Sequence, residues 1–573
     1  MKLFTRYSLL LLLVLCSGCG KKSSADAIPV QVVPAEFVLQ SWMVGDQIAQ
    51  VTNNGVPVTA SVRLNFSAPV NRSAVATNII ISNAAGTAIG YDISYERSDS
   101  TAVLRATAPF AFLTRYKLNL LKGLRSTAGA QLTTTTELAV YTAMDGSDKF
   151  PRIPEAELLT LVQKQTFTYF WDFAHPVSGL ARERNTSGDV VTSGGSGFGV
   201  MSIIAGIHRQ FITRAQGLQR LQKIVDFLST KAQRFHGAYP HWLNGATGTV
   251  IPFSANDDGA DLVETSYLIQ GLLTARQYFN GTDPAEVTLR NAINVIWKGV
   301  EWNWFRKGSE NVLYWHWSPG KAWVMNHPIR GWNEALITYV LAGSSPDYSI
   351  PKIVYDAGWA RDGAIKNGAS YYGVQLPLGP PNGGPLFFAH YSFLGINPNA
   401  LKDAYADYSV QNKTHTLINH KYAVANPKGW VGYSDSSWGL TASDNQQGYS
   451  AHEPNNDLGV ISPTAALSSF PYTPVRSMKA LNFFYYKLGD RIWKEYGFVD
   501  AYNLNHALVC IQLPCYRPGT DYYHDRKSQV RTFVGLVYEL SGSKNRDARA
   551  WLHQSSLMMH ARHGRTMYSP SYL

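Results

Sequence analysis

Four carboxylates crowd one short stretch, SANDDGADLVETSYLIQG (residues 254–271): Asp257, Asp258, Asp261 and Glu264. The chain as a whole is only 16% charged, so the crowding is unusual for this composition. Like charges at i, i+4 spacing on a helix cost about 0.2–0.5 kcal/mol per pair, and folding alone gives little reason to keep them. If residues 256–279 form one helix, Asp257, Asp261 and Glu264 fall at i, i+4 and i+7 and share a face, while Asp258 points elsewhere. Acids in a first helical turn are favoured by the helix dipole by about 0.3–1 kcal/mol, which would account for Asp257 and Asp258. Glu264 lies two turns in and escapes that account, so the trio is read as functional.

A further acid, Glu334, follows Trp332 in NHPIRGWNEALITYVLAGSSP and opens an apolar run, with Arg330 four residues before it. Upstream, VLYWHWSP presents Trp315, His316 and Trp317; FFAHYSFLG offers His390 and Tyr391, and GYSDSSWGLTASD offers Tyr433 and Trp438. Each aromatic taken alone is more often a core residue than a ligand contact. Together, in a chain with 15 Trp and 32 Tyr, they suit sugar rings, whose C–H faces stack on indole. Glycoside hydrolysis needs two carboxyl groups, one to protonate the leaving oxygen and one to act on water or the anomeric carbon. A group of carboxylates in which one is kept protonated by its neighbours fits that chemistry. Sequence spacing does not fix the separation of the carboxyls, so retention and inversion both stay open here.

The elements that must position these residues divide the chain. At 573 residues it is too long for one small core. It begins MKLFTRYSLLLLLVLCSGCG, with Lys2 and Arg6, an apolar Leu9–Leu15 core and small residues before Cys19. That is the pattern of a secretory signal and is too short to span a bilayer. Ser17-Gly18-Cys19 resembles a bacterial lipobox, with Cys16 where Leu is usual. The resemblance implies cleavage after residue 18, a lipid on Cys19 and attachment to the bacterial cell envelope. Residues 19–33 read as a polar tether. Residues 34–145 alternate apolar and polar positions in short, turn-punctuated runs such as SVRLNFSAPVN, which indicates an all-β sandwich. From Pro154 the period becomes helical. EAELLTLVQKQTFTYFWDFA sets Leu158, Leu161, Val162, Gln165, Tyr169 and Phe173 near one stripe, and later helices are expected over 262–279, 287–305, 333–342 and 474–486. Helices joined repeatedly by long Gly-, Pro- and aromatic-rich loops suggest a toroid of helical hairpins with the loops building one face. The four cysteines, Cys16, Cys19, Cys510 and Cys515, leave residues 20–509 without a disulfide or a thiolate metal site. The net charge of +11 is scattered, with no basic helix, and does not mark a nucleic-acid binder. No nucleotide-binding fingerprint, zinc motif or Gly-x-Ser-x-Gly elbow is present.

Two longer sets of motifs carry resemblances. RLNFSAPVNRSAV and RYKLNLLKGLRSTAG resemble a bacterial Ig-like domain. YWHWSP, PIRGWNEALITYVLAGSSP, HTLINHKYAVANP, WGLTASD, ISPTAALSSFPYTP and EYGFVDAYNL, in that order, resemble the bacterial glucoamylase-like domain that includes the β-1,2-glucanases (glycoside hydrolase family 144), over residues 154–504. This resemblance implies an (α/α)6 toroid, an inverting mechanism and no metal or other cofactor. It implies Glu334 as general acid and Asp257, Asp261 and Glu264 as acids lining the cleft. Arg330, Trp315, Trp317, His390, Tyr391 and Trp438 are the expected substrate contacts. β-1,2-Glucan or its sophoro-oligosaccharides is the expected substrate, and a monomer is the expected state.

The chain departs from the family after EYGFVDAYNL, where an aromatic-aliphatic stretch and an Asp-Gln-Gly-Pro turn would follow. Residues 505–573 are basic and hold both late cysteines and five of the 15 His. Codons compatible with the printed residues, read one base later from Asn505, allow TTLWFASSYLATDQGPIIIMIE, which is the expected family segment. A slip of reading frame near Leu504–Asn505 is therefore expected, with loss of the closing helices and of activity. Two other functions fit parts of the pattern. A non-catalytic glycan-binding lipoprotein would keep the aromatics and lose the chemistry. A polysaccharide lyase on a similar toroid would need more Arg and Lys in its cleft.

Overall fold

The computed structural model describes residues 36–399, 401–506 and 508–509. The signal, Cys19, the tether and nearly all of the 505–573 tail lie outside them.

Residues 39–142 form two five-stranded sheets. One runs in the order Gln47–Ile48, Leu39–Val44, Val62–Phe66, Thr101–Ala106, Tyr91–Glu96. The other runs Thr52–Val56, Thr136–Thr142, Arg115–Leu120, Ile79–Asn83, Ala88–Ile89, all antiparallel except the first pair. The alternation read from SVRLNF holds residue by residue: Val62, Leu64 and Phe66 are buried and Arg63 and Asn65 are not. Successive strand side chains point to opposite faces, so Leu64, Leu104, Leu118 and Leu120 meet in one core.

The segment that follows is pinned rather than loose. Lys149 N donates to Tyr486 O and Ile153 N to Tyr486 Oη, at 2.6 and 3.0 Å. The Phe150 ring packs 4.7 Å from that of Tyr485. Helices then dominate: Glu155–Trp171, Ser193–His208, Arg214–Thr230, Leu262–Tyr278, Pro284–Lys298, Leu336–Ser344, Tyr408–Ala425, Pro463–Leu467 and Pro474–Asn482. Long loops join them, several carrying two- or three-stranded ladders. Among the described residues no helix is long and apolar enough to cross a membrane.

The helices Ser193–His208 and Leu262–Tyr278 are buried on nearly every face and cross very closely. A Cβ added to Gly197 would stand 2.1 Å from Tyr267 O, and one on Gly271 2.0 Å from Gly197 O. Only glycine permits that approach.

Several boundaries differ from expectation for local reasons. The expected 287–305 helix is two elements. Asp283 caps a start at Pro284, the chain leaves the helix at Gly299, and a separate 3-10 turn covers Trp302–Arg306. The expected 333–342 helix begins at Leu336, because the Asn333 side chain accepts from Ala335 N and holds a turn there. In the first helix, Leu159, Gln163, Thr166 and Phe167 are buried while Leu161 and Gln165 are only half-buried. The buried face is thus wider than the stripe read from the sequence.

Candidate active site

The acidic trio does not lie on one helix. The helix begins at Leu262, and Asp261 is its N-cap, its Oδ1 accepting from Glu264 N at 2.9 Å. Capping therefore belongs to Asp261, not to Asp257 or Asp258. Asp257 sits in the preceding turn, its backbone held by Ser254 and Phe253. A two-residue ladder pairs Ala260 with Trp317 and Asp261 with His316, and this ladder draws the groups together. His316 Nε2 stands 3.5 Å from Asp257 Oδ2 and 3.9 Å from Asp261 Oδ2. From the other side His241 Nδ1 meets Asp261 Oδ2 at 3.0 Å, and its Nε2 lies 4.0 Å from Glu264 Oε1. Glu264 Oε2 also accepts from Gly194 N at 3.1 Å, at the positive N-terminus of the Ser193–His208 helix.

Three acids are thus packed between two imidazoles, and Asp257, Asp261 and Glu264 are each 5% exposed or less. Burial, reinforced by the charge of Asp261 and more weakly by Glu264 and Asp258, pushes the Asp257 carboxyl up to about 7, against an opposing pull from His241. Burial lowers His316 despite the attraction of Asp261, which favours a neutral ring. The site can hold a proton on a carboxyl near neutral pH. His241, Asp257 and Asp261 also place ligand atoms within 4.8 Å of one another, the donor set a cation would meet here. The Asp261–His241 contact is already a complete hydrogen bond.

Glu334 belongs to a turn fixed from four directions. Trp332 is buried against Trp359, Phe393, Tyr408 and His415. Gly331, at φ +77°, donates to Trp359 O. The Glu334 carbonyl accepts from the hydroxyls of Ser392 and Tyr267, the latter at 3.2 Å. Tyr267 lies on the helix that Asp261 caps. Burial raises its hydroxyl well above its ordinary value, as do the charges of Glu334, Glu264 and Asp261. One phenol therefore stands in the fields of both acidic groups and ties their backbones together.

The expected aromatic contacts separate into two sets. Trp315 and Trp317 are half-buried beside the acids, Trp315 stacking on His316 and His327 at 5.7 and 5.1 Å. Arg330 is exposed. Tyr391 is core, packed on Phe198, Tyr267 and Phe387. His390 is buried, 3.1 Å from Ser469 Oγ and stacked on Tyr472, and lines a small separate cavity with Phe393 and Asn397. Trp438 is fully buried against His420 and presents no face to a sugar, which corrects its reading as a stacking residue. The WGLTASD run mixes apolar and polar residues without a clear period and does not distinguish a packed indole from an exposed one. His241 and Tyr267 escaped sequence reading. His241 is 20 residues from its partner Asp261, and Tyr267 is embedded in an apolar helix.

The fold and site describe a β-sandwich joined to a helical domain that gathers carboxylates beside half-buried indoles. The family model described as "Putative glucoamylase" matches residues 326–530, and a bacterial Ig-like domain model matches residues 48–142. The first match runs past Asn505, where the frame is expected to slip. An exo-β-1,2-glucooligosaccharide sophorohydrolase (non-reducing end) of Parabacteroides distasonis is 49% identical over 398 residues, which are 63% of this chain. The match spans only 55% of that relative. The endo-β-1,2-glucanase of Chitinophaga pinensis, solved with sophorotriose and glucose, is 47% identical with a TM-score of 0.64. The similarity covers 70% of this chain and 99% of that one. The β-1,2-glucanase structure from Parabacteroides distasonis is 35% identical with a TM-score of 0.65, over 91% of this chain and 72% of that one. The chain belongs to the bacterial glucoamylase-like family of glycoside hydrolases that includes the β-1,2-glucanases.

Proposed function

We propose that this protein hydrolyses β-1,2-glucan or its sophoro-oligosaccharides by inversion, on an (α/α)6 toroid carried by a lipid-anchored chain of the bacterial cell envelope. The observation that carries the reading is the joining of two acidic groups through Tyr267: the buried Asp257–Asp261–Glu264 cluster and the Glu334 turn. Two carboxyl functions are what glycoside cleavage needs, and the similarity to β-1,2-glucanases supports the linkage. Glu334 gives its proton to the glycosidic oxygen as the bond to the anomeric carbon breaks. Water attacks that carbon from the opposite face and passes its proton to a carboxylate of the cluster. Asp257, titrating near neutrality, suits proton traffic at that pH. Trp315 and Trp317 flank the sugar ring whose glycosidic bond is cleaved.

The test is incubation of two proteins, the 573-residue chain and a chain with the reading frame restored after Leu504, with β-1,2-glucan and with β-1,3- and β-1,4-glucans, following released sugar and its anomer by proton NMR. Hydrolysis confined to β-1,2-glucan, with α-anomer formed first, is expected of the frame-restored chain, and little or none of the 573-residue chain. Glu334→Gln should lower kcat by about 10²–10⁴ with the fold kept. Retention of configuration, or an undiminished Glu334→Gln enzyme, overturns the mechanism. Glucan binding by the frame-restored chain with no release of sugar identifies the glycan-binding alternative instead.

A further inference from the structure

We propose that the exposed indole of Trp304 is a sugar-stacking platform outside the acid cluster, holding a pyranose ring of the glucan chain beyond the rings at the site of cleavage. The proposal rests on the glucan reading above and names the part of the substrate that the cluster does not touch.

In the 3-10 turn Trp302–Arg306, residues three apart lie on the same side. Trp302 and Phe305 are accordingly buried and Trp304 faces out, 41% exposed. Large exposed aromatics are uncommon, but one alone needs no explanation. Trp304 differs in being braced. The His236 ring covers one face, with centroids 3.9 Å apart and planes 15° from parallel. His236 is itself fixed, its Nδ1 3.0 Å from Glu301 Oε2 and its carbonyl accepting from Glu301 N at 3.1 Å. The exposed area of the indole is therefore its opposite face and edges, held in one orientation before any ligand arrives. Such pre-ordering lowers the entropy lost on binding.

The platform is continuous with the cleft. Trp317 meets His236 edge-on at 4.9 Å, and Trp317 pairs with Ala260, beside Asp261, in the ladder that builds the acid cluster. Half-buried Trp323 lies 6.4 Å from Trp304. The rim is polar: Glu301, exposed Asn303, and Lys307, which donates to Asn326 Oδ1 at 2.6 Å. An apolar face ringed by hydrogen-bonding groups matches a pyranose, apolar on its C–H faces and hydroxylated at its edge. It suits an apolar protein partner less well.

Trp304→Ala and Trp304→Phe test this with long-chain β-1,2-glucan and with sophorotriose, by titration calorimetry and steady-state kinetics of the chain with its reading frame restored after Leu504. For Trp304→Ala, KM and Kd for the long chain should rise about tenfold, the loss expected for one aromatic contact. The kcat, the sophorotriose kinetics and the melting temperature should stay unchanged, and Trp304→Phe should restore most of the affinity. Unchanged long-chain affinity in Trp304→Ala, or an equal loss on sophorotriose, overturns the platform while leaving the hydrolase reading standing. If the frame-restored chain binds long glucan through Trp304 yet releases no sugar, the hydrolase reading fails and the platform stands. No glucan binding by the frame-restored chain overturns both.

Discussion

Asp257 makes the acid cluster a burden on stability as well as a source of chemistry. An unfolded Asp titrates near 3.9, while in the folded chain burial and Asp261 push Asp257 up to about 7. Between those values the folded state binds more protons than the unfolded one. Stability must therefore fall as pH rises from about 4 to about 7 and level off above. Asp257→Asn removes the titration. Its melting temperature should exceed that of the native chain at pH 8 and match it near pH 4, and a gain of the same size at both values would contradict the linkage. A second residue-scale test concerns Gly194. A Cβ there would stand 2.3 Å from Glu264 Oε2 and 2.9 Å from Tyr267 Cδ2. Gly194→Ala should displace the Glu264 carboxylate and lower kcat at least tenfold by disturbing the placement of the reacting groups, while most of the native circular dichroism is kept.

The tightest element pair is Ser193–His208 against Leu262–Tyr278, and it sets how far the Gly194 donor stands from Glu264. Overpacking a well-filled contact costs about 1–3 kcal/mol and sometimes more. Because Gly271 meets backbone, which cannot rotate away, Gly271→Ala should fall at the upper end of that range. Denaturant unfolding would show a lowered midpoint. The Glu334 turn is a second such unit. Ser392 Oγ accepts from Ile337 N at 3.0 Å and donates to the Glu334 carbonyl. Ser392→Ala takes the side-chain acceptor from the buried Ile337 N–H and one hydroxyl donor from the Glu334 carbonyl, leaving that of Tyr267, at about 1–3 kcal/mol.

At the scale of the molecule, the β-sandwich and the helical domain share packing. Leu113, at φ +46° and 6% exposed, belongs to the same apolar cluster as Leu158, Tyr486 and Phe498 of the helical domain. Leu113→Ala removes a buried side chain and should cost about 2 kcal/mol or more, measured as a lower unfolding midpoint. The proposed anchor has its own test. Cys19→Ala should move the protein from the membrane fraction to the soluble one, and an unchanged distribution would dismiss lipidation.

Much of this protein is legible from its residues. The strand alternation of SVRLNF is written in local chemistry, because period depends on neighbours a few positions apart. The caps at Asp283 and Asp261 escaped sequence reading: the helix that Asp283 caps is expected only from 287, and capping is credited to Asp257 and Asp258. The crowding of acids in NDDGADLVET is legible as well, and the structure gathers Asp257, Asp261 and Glu264 into one buried cluster. What the sequence could not settle was everything that depends on contact between distant segments. The common helix face expected for the trio was replaced by an N-cap, a turn and a ladder with His316. His241, Tyr267 and Gly194 joined the site from up to 70 residues away. Trp438 and Trp304 are the same residue type, and tertiary packing alone made one a core residue and left the other facing water. Burial is a property of the assembled chain, and so are the proton affinity of Asp257 and the exposure of an indole.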